Sequence, residues 1–261
     1  MKLAVLLISL AYTLFGAVNA SITLQSASIF AVLAGSGITN TGTTSITGDV
    51  GTFPTISETG FSSVTISHGV NHYGDTVTQH AKNHLTSAYI SAADMEATRD
   101  LTGKTLGTGG EISSLGPGVY SFSSSAHLIG KLTLTGFGEY VFKIGSTLTT
   151  ASSSSVVLTD GANACDIFWQ VGSSATLGTH TAFEGTVMAL DSITANTGTI
   201  VKGRLLARNA AVVMQSNEIR LPSCESSSSS SGGSHGGSTG SSESSSSSST
   251  GTCVMVCRCE A

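Results

Sequence analysis

Apolar and polar residues alternate through the second half of this chain, and the alternation itself repeats. Three consecutive blocks superimpose at a spacing of 18 residues: FWQVGSSATLGTHTAFEG (168–185), TVMALDSITANTGTIVKG (186–203) and RLLARNAAVVMQSNEIRL (204–221). Read down the columns, Ala175, Ile193 and Ala211 align, as do Leu177, Ala195 and Val213, then Phe183, Val201 and Ile219. Those columns stay apolar, while Thr176 with Thr194 and Thr179 with Thr197 stay hydroxylated. A period-two alternation rich in β-branched residues predicts short strands, and a fixed period of this size predicts that they stack as a solenoid. Stacked coils lie about 4.8 Å apart, so one outward residue repeated in every coil becomes a regular ladder.

The pattern extends beyond the three blocks. VFKIGST (141–147) matches FWQVGSS (168–174) at an offset of 27, one 18-residue turn plus a nine-residue excursion placed around 159–167. That match makes Thr147 and Thr149 the equivalents of Ser174 and Thr176. Near the beginning, ITNTGTTSI (38–46) echoes ITANTGTIV (193–201), so an early coil repeats the late ones. The segments TVMAL and RLLAR are apolar at adjacent positions, which suits burial on both sides of a strand. One stretch breaks the β rhythm. Val77, Ala81, Leu85, Ala88, Ala92 and Met95 recur three or four apart, which predicts an α-helix near 75–102 with Asp75 as its cap and Gly103 after its end. Its seam of small residues fits close packing against a sheet, and Thr78 falls off that seam, on a side expected to be exposed.

Composition narrows the reading. Only 10% of the 261 residues are charged and the net charge is −5, so no basic footprint for nucleic acid is present. The start, MKLAVLLISLAYTLFGAVNA, reads as a signal peptide cut after Ala20, and no later segment has the roughly 18 apolar residues that span a bilayer. The expected organisation is therefore a leader (1–20), a mostly β solenoid with one long helix packed alongside (21–224) and a Ser/Gly-rich tail (225–261). The mature protein is expected to be secreted, with no membrane attachment after cleavage. Export permits disulfides, and Cys165 and Cys224 flank the three repeats, where a bridge would pin the last coils. The closing CVMVCRC points to a disordered tail or to intermolecular pairing through Cys253, Cys257 or Cys259 rather than to zinc, which would need a fourth ligand and a supporting fold.

Catalytic and metal motifs do not emerge. His80 and His84 have the spacing of a two-histidine metal site, but residue 81 is Ala, so the His-Glu-x-x-His arrangement fails. A polysaccharide lyase or hydrolase on a β-helix would need clustered carboxylates or basic residues in a cleft. Glu184, Asp191, Arg204 and Arg208 are the charged residues close in repeat register, and an Asp191–Arg208 ion pair accounts for two of them. Gly-x-Ser-x-Gly strings fall only in the Ser/Gly-rich tail, outside any predicted strand and helix, and Gly103-Lys104-Thr105 lacks the glycine that opens a P-loop, residue 98 being Thr. Such an enzyme, or a cell-surface adhesin using the Ser-rich tail as a stalk, stands as the alternative class.

Two long segments carry a resemblance. SIFAVLAGSGITNTGTTSITGDVG (28–51), and CDIFWQVGSSATLGTHTAFEGTVMAL followed by GRLLARNAAV, resemble the secreted ice-binding (antifreeze) proteins of cold-adapted microbes, over roughly residues 21–224. The resemblance implies a discontinuous right-handed β-helix with one long helix alongside, its N-terminal coil seated beside the C-terminal ones. It also implies one helix-free face that adsorbs to ice, without cofactor or metal. Some members carry Thr-(Ala/Gly)-x-(Thr/Asn) there. Thr194-Ala195-Asn196-Thr197 fits, Thr176-Leu177-Gly178-Thr179 departs at its second place, and Val212-Val213-Met214-Gln215 has lost the pattern.

The residues themselves locate the face. Because Ile193 and Ala195 point inward, Thr194 and Ser192 point outward. Repeat register adds Thr147, Thr149, Ser174 and Thr176, with Thr179 and Thr197 at a corner, and the early echo adds Thr39 and Thr41. Threonine suits such a surface: it is stiff at χ1, so little rotamer entropy is lost on adsorption, and it presents a methyl and a hydroxyl together.

Overall fold

The computed structural model describes residues 21–224, which belong to one compact unit. The expected leader, the tail and Cys253, Cys257 and Cys259 lie outside the described residues. Short parallel strands wind into a discontinuous β-helix with three faces, carried by one 14-stranded and one 8-stranded sheet.

The larger sheet covers two faces because two of its strands bend without breaking. Ala182–Ala189 and Ile200–Ala207 pair along their full length, and each turns from one face to the next at a glycine. Gly185 has φ +102°, and a Cβ on Gly203 would lie 1.8 Å from the Gly185 carbonyl oxygen. Only glycine permits that approach. The face reached after this bend, here face A, also contains Gly118–Phe122, Tyr140–Ile144, Ile167–Val171 and Phe30–Ala34. Face C, before the bend, contains Lys131–Thr135, Ser155–Thr159, Glu218–Arg220, Thr44–Thr47 and Val64–Ser67. Face B is the separate 8-stranded sheet.

The coils are not uniform. Phe168 pairs with Thr186 and Ala182 with Ile200, the 18-residue step read from the sequence. Gly118 pairs with Tyr140, 22 residues on, and Tyr140 with Ile167, 27 residues on. The nine additional residues of that coil follow Ser155, which pairs with Ala182. They form the excursion that ends in the short 3₁₀ turn Ala164–Asp166. Here Cys165 is joined to Cys224, 59 positions away, by a disulfide with Cα atoms 5.7 Å apart.

Sequence order and spatial order differ. The early residues cover the last coil: Val32 pairs with Leu205, Ile38 with Val212 and Ile46 with Ile219. After the helix the chain begins again at the opposite end, with Arg99–Asp100, and winds back. The interior is lined by apolar side chains. A column of rings, Tyr120, Phe142, Trp169 and Phe183, runs through it with centroids 5.4, 3.9 and 5.0 Å apart in turn.

The helix, α1 (Thr76–Asp94), is shorter than the sequence spacing suggests. Asp75 does cap it, accepting from the Thr78 amide at 2.8 Å. Its other end is Asp94, not residue 102: Met95 is already extended, and Arg99–Asp100 is a strand of face A. Met95 continued the apolar spacing by packing against the same cluster from outside the helix. The buried seam also differs, since Val77 is 37% exposed and Thr78 fully buried. Thr78, Ala81, Leu85, Ala88 and Ala92 face the sheet, and the cluster against them includes Phe30, Leu33, Val141, Phe168, Met188 and Leu206. TVMAL and RLLAR are thus covered on both sides, Val187 and Leu205 by the interior and Met188 and Leu206 by α1. Among the described residues no helix is long and apolar enough to cross a membrane.

Candidate functional site

Face B is built from Thr105–Leu106, Ala126–Leu128, Leu148–Thr150, Ala175–Leu177, Ile193–Ala195, Ala211–Gln215, Gly37–Thr41 and Glu58–Thr59, in that spatial order. In the strands of three or more residues, the residues on either side of the central one point inward, as Leu148 and Thr150, Ala175 and Leu177, or Ile193 and Ala195 do. The central residues are paired rung by rung into one outward column: Thr105, His127, Thr149, Thr176, Thr194, Val213, Thr39 and Thr59. Threonine occupies six of the eight rungs. The spacing is that of adjacent strands, about 4.8 Å.

A second outward column precedes the first by two residues: Ser125, Thr147, Ser174 and Ser192, continued by Ala211 and ending at Gly37, which Ser57 covers. It is about 6.6–6.8 Å from the first, the i to i+2 distance of a strand. Thr147 Oγ1 donates to Ser125 Oγ at 2.8 Å, and the Ser192 amide donates to Ser174 Oγ at 3.4 Å. Thr41 pairs with Gln215 on the opposite margin, and Thr197 Oγ1 donates to Gln215 Oε1 at 3.2 Å. Thr179 lies on the corner beside them, where Ser152 Oγ donates to its hydroxyl at 3.4 Å. Neither column contains Asp, Glu, Lys or Arg. The arrangement is uncharged, half-exposed and free of α1, which packs on face A.

One assignment from the repeats is corrected. The third block does not keep the 18-residue register on this face: Ile193 pairs with Val212, Thr194 with Val213 and Ala195 with Met214. An additional residue in the corner before Ala211 shifts the strand by one, and the 18-residue step is restored when Val201 meets Ile219. Val213 is therefore an outward member of the column, and not the inward equivalent of Leu177 and Ala195. Thr105 and Thr59 are the members that the repeats did not reach. Their strands are two residues long and lie in coils of other lengths, so only tertiary pairing puts them on these rungs.

What holds the face in place is a buried polar ladder at its corner with face C, visible in the repeats only as one more polar column. Thr181, Thr199 and Asn217 recur at 18-residue intervals and are at most 4% exposed. Thr181 Oγ1 lies 2.9 Å from Thr150 Oγ1, Thr199 Oγ1 donates to the Gly178 carbonyl at 3.0 Å, and Asn217 Nδ2 donates to the Asn196 carbonyl at 2.8 Å. Asn40, inward under Thr39 and Thr41, accepts from Thr44 Oγ1 at 2.6 Å. Buried polar groups satisfied in this way fix one geometry, because leaving any of them unpaired costs about 1–3 kcal/mol.

The charged residues of the late coils are used elsewhere. Arg208 does not pair with Asp191: its guanidinium lies over the Tyr89 ring at 4.6 Å, and Asp191 accepts from Ser173 Oγ at 3.2 Å. The two side chains leave the corner in different directions because α1 offers Arg208 an aromatic face. Arg204 is buried, donating to the Ser28 carbonyl and to Thr186 Oγ1, and burial lowers its pKa to about 10. Glu184 faces Lys202 at 3.7 Å, and burial raises its pKa more than that cation lowers it. His84 meets Ser26 Oγ at 2.6 Å, while His80 is exposed. Among the described residues no group of three or more His, Cys, Asp or Glu could hold a metal.

Comparison with known proteins gives one result. The family described as ice-binding-like matches residues 32–220. An ice-binding protein of Nostoc sp. (strain HG1) is 47% identical over 226 residues, covering 84% of this chain and 82% of that protein. One from Colwellia sp. is 35% identical over 217 residues, covering 78% and 85%. The crystal structure of an ice-binding protein from the Antarctic ascomycete Antarctomyces psychrotrophicus superimposes with a TM-score of 0.72 at 38% identity, covering 77% of this chain and 98% of that one.

Proposed function

Because this chain belongs to the ice-binding protein family, we propose that it adsorbs to ice through face B and so restrains ice growth and recrystallisation. The observation that carries this reading is the outward column with threonine at six of eight rungs. Thr39, Thr149, Thr176 and Thr194 are its centre, Thr147, Ser174 and Ser192 its second row, and Thr41, Thr179 and Thr197 its margin. The methyl groups order surface water and the hydroxyls anchor it. Each contact is weak, but the backbone under each side chain is locked into the core, so adsorption demands little further ordering.

The activity on this reading is not enzymatic. Its partner is the ice surface, and the charged residues near the face have structural partners instead of a substrate. Export after cleavage at Ala20 fits the Cys165–Cys224 bridge, which requires an oxidising compartment. Ice grown under a microscope with the purified chain beginning at Ser21, in metal-free buffer, tests the proposal. Shaped crystals and slowed recrystallisation at micromolar protein are expected, and crystals growing freely in the presence of folded protein would refute it.

A further inference from the structure

The first described residues form a strap along face A, beside α1. Ile22, Leu24 and Ala27 are buried in the cluster that also holds Ala88, Val141 and Phe168. Further along, the Ser28 carbonyl accepts from Arg204 Nε at 2.9 Å. At the strap's outer end two donors converge on one carboxylate oxygen: the Ile22 amide lies 3.0 Å from Glu139 Oε1, and Ser21 Oγ lies 3.3 Å from it. Glu139 is half-buried, and burial pushes its carboxyl pKa up, partly offset by these two hydrogen bonds, with Asp166 adding to the rise. None of the ion pairs among the described residues involves Glu139. A carboxylate withdrawn from water beside a second carboxylate, with no cation against it, is costly.

The missing cation is one residue away in the chain from the Ile22 amide. Ser21 is the residue that follows the expected cleavage point, and neighbouring Cα atoms are about 3.8 Å apart, so the Ser21 nitrogen is within reach of the carboxylate that the Ile22 amide already touches. We propose that Glu139 is the receptor for this protein's own processed amino terminus. Hydrolysis by a leader protease adds water across the Ala20–Ser21 peptide bond: Ala20 keeps the new carboxylate, and Ser21 gains an amine that takes up a further proton near neutral pH. The resulting α-ammonium pairs with Glu139 and fastens the strap over face A. Before cleavage the same nitrogen is a neutral amide, so the fastening exists only in the processed protein. This inference rests on the export reading given above.

The test uses the chain from Ser21 to Ala261, released from a fusion partner that leaves Ser21 first. Four forms are compared by thermal unfolding: free or acetylated at the α-amine, each with Glu139 or Glu139→Gln. Acetylation is expected to lower Tm by about 2–4 °C when Glu139 is present and to change little in Glu139→Gln. An equal effect in both backgrounds, or none with Glu139, would overturn the proposal. A titration of the Ser21 amine by NMR in the unsubstituted protein answers independently of whether the variant folds. A midpoint above the ordinary α-amino range of about 7.7–8.0 supports the pairing, and one within or below it does not. The mass of protein secreted from a producing cell reports separately on the cleavage point. A start other than Ser21 would sink the processing step while leaving the Glu139 comparison readable.

Discussion

Val213 is the rung partner of Thr194, although the 18-residue repeat would place Val212 there. The outward column thus runs unbroken across the seam where the early coil closes on the last one, since Val213 also pairs with Thr39. At that rung the side chain has the shape of threonine without its hydroxyl. Val213→Thr should complete an unbroken run of six threonines from Thr149 to Thr59, and should change stability by less than about 0.5 kcal/mol. Thermal hysteresis is expected to hold or rise. A fall in hysteresis with unchanged Tm would mean that this rung does not meet ice.

Thr194→Tyr should keep the fold and remove most ice-shaping activity, because a bulky ring in mid-column lifts the neighbouring rungs from a plane. The matched control is Thr65→Tyr, exposed on face C. Equal ice shaping by the two variants would put the binding surface elsewhere.

Thr78→Tyr would be unsuitable as a control. Thr78 is fully buried, and a Cβ on Gly51 would approach its Oγ1 to 2.8 Å. Overpacking there should cost about 1–3 kcal/mol, seen as a lowered unfolding midpoint with face B untouched.

Reduction, or Cys165→Ser with Cys224→Ser, should lower stability by about 2–4 kcal/mol, since the bridge closes a long loop. Ice shaping measured well below the lowered Tm should persist, because the bridge lies at the excursion after face C. Peptide mapping without reduction checks the pairing directly.

A histidine clasp makes stability depend on pH. His72 Nε2 lies 2.9 Å from Asp49 Oδ2 and its Nδ1 lies 2.9 Å from Asp75 Oδ2, tying the cap of α1 to face A. Burial opposes the charged imidazole, but the two carboxylates together raise its pKa above the ordinary value. A raised folded pKa means that the stabilisation is complete below about pH 6.5, the unfolded value, and is lost as pH rises through the folded one. The unfolding midpoint should therefore fall between pH 6 and pH 8, and the fall should shrink in His72→Gln. The same slope in both proteins would remove His72 as its source.

The sequence by itself determined the solenoid, the inward and outward faces of the strands at 175–177 and 193–195, the 27-residue offset with its excursion, and Asp75 as the helix cap. Each of these is a local or periodic property: side chains alternate with period two along a strand, and a coil that repeats must repeat its apolar columns. Tertiary structure alone decided the rest. The end of α1 escaped the apolar spacing because Met95 packs on the same cluster in an extended conformation, and Thr78 is buried because the sheet approaches α1 closely at Gly51. Arg208 turned to Tyr89 instead of Asp191 because α1 lies against that corner. Thr105, Thr59 and Val213 joined the column through pairing between coils of unequal length, where sequence distance no longer reports spatial distance. A ladder is a property of stacking, and a single residue inserted at a corner can move a whole strand by one rung position while leaving its alternation unchanged.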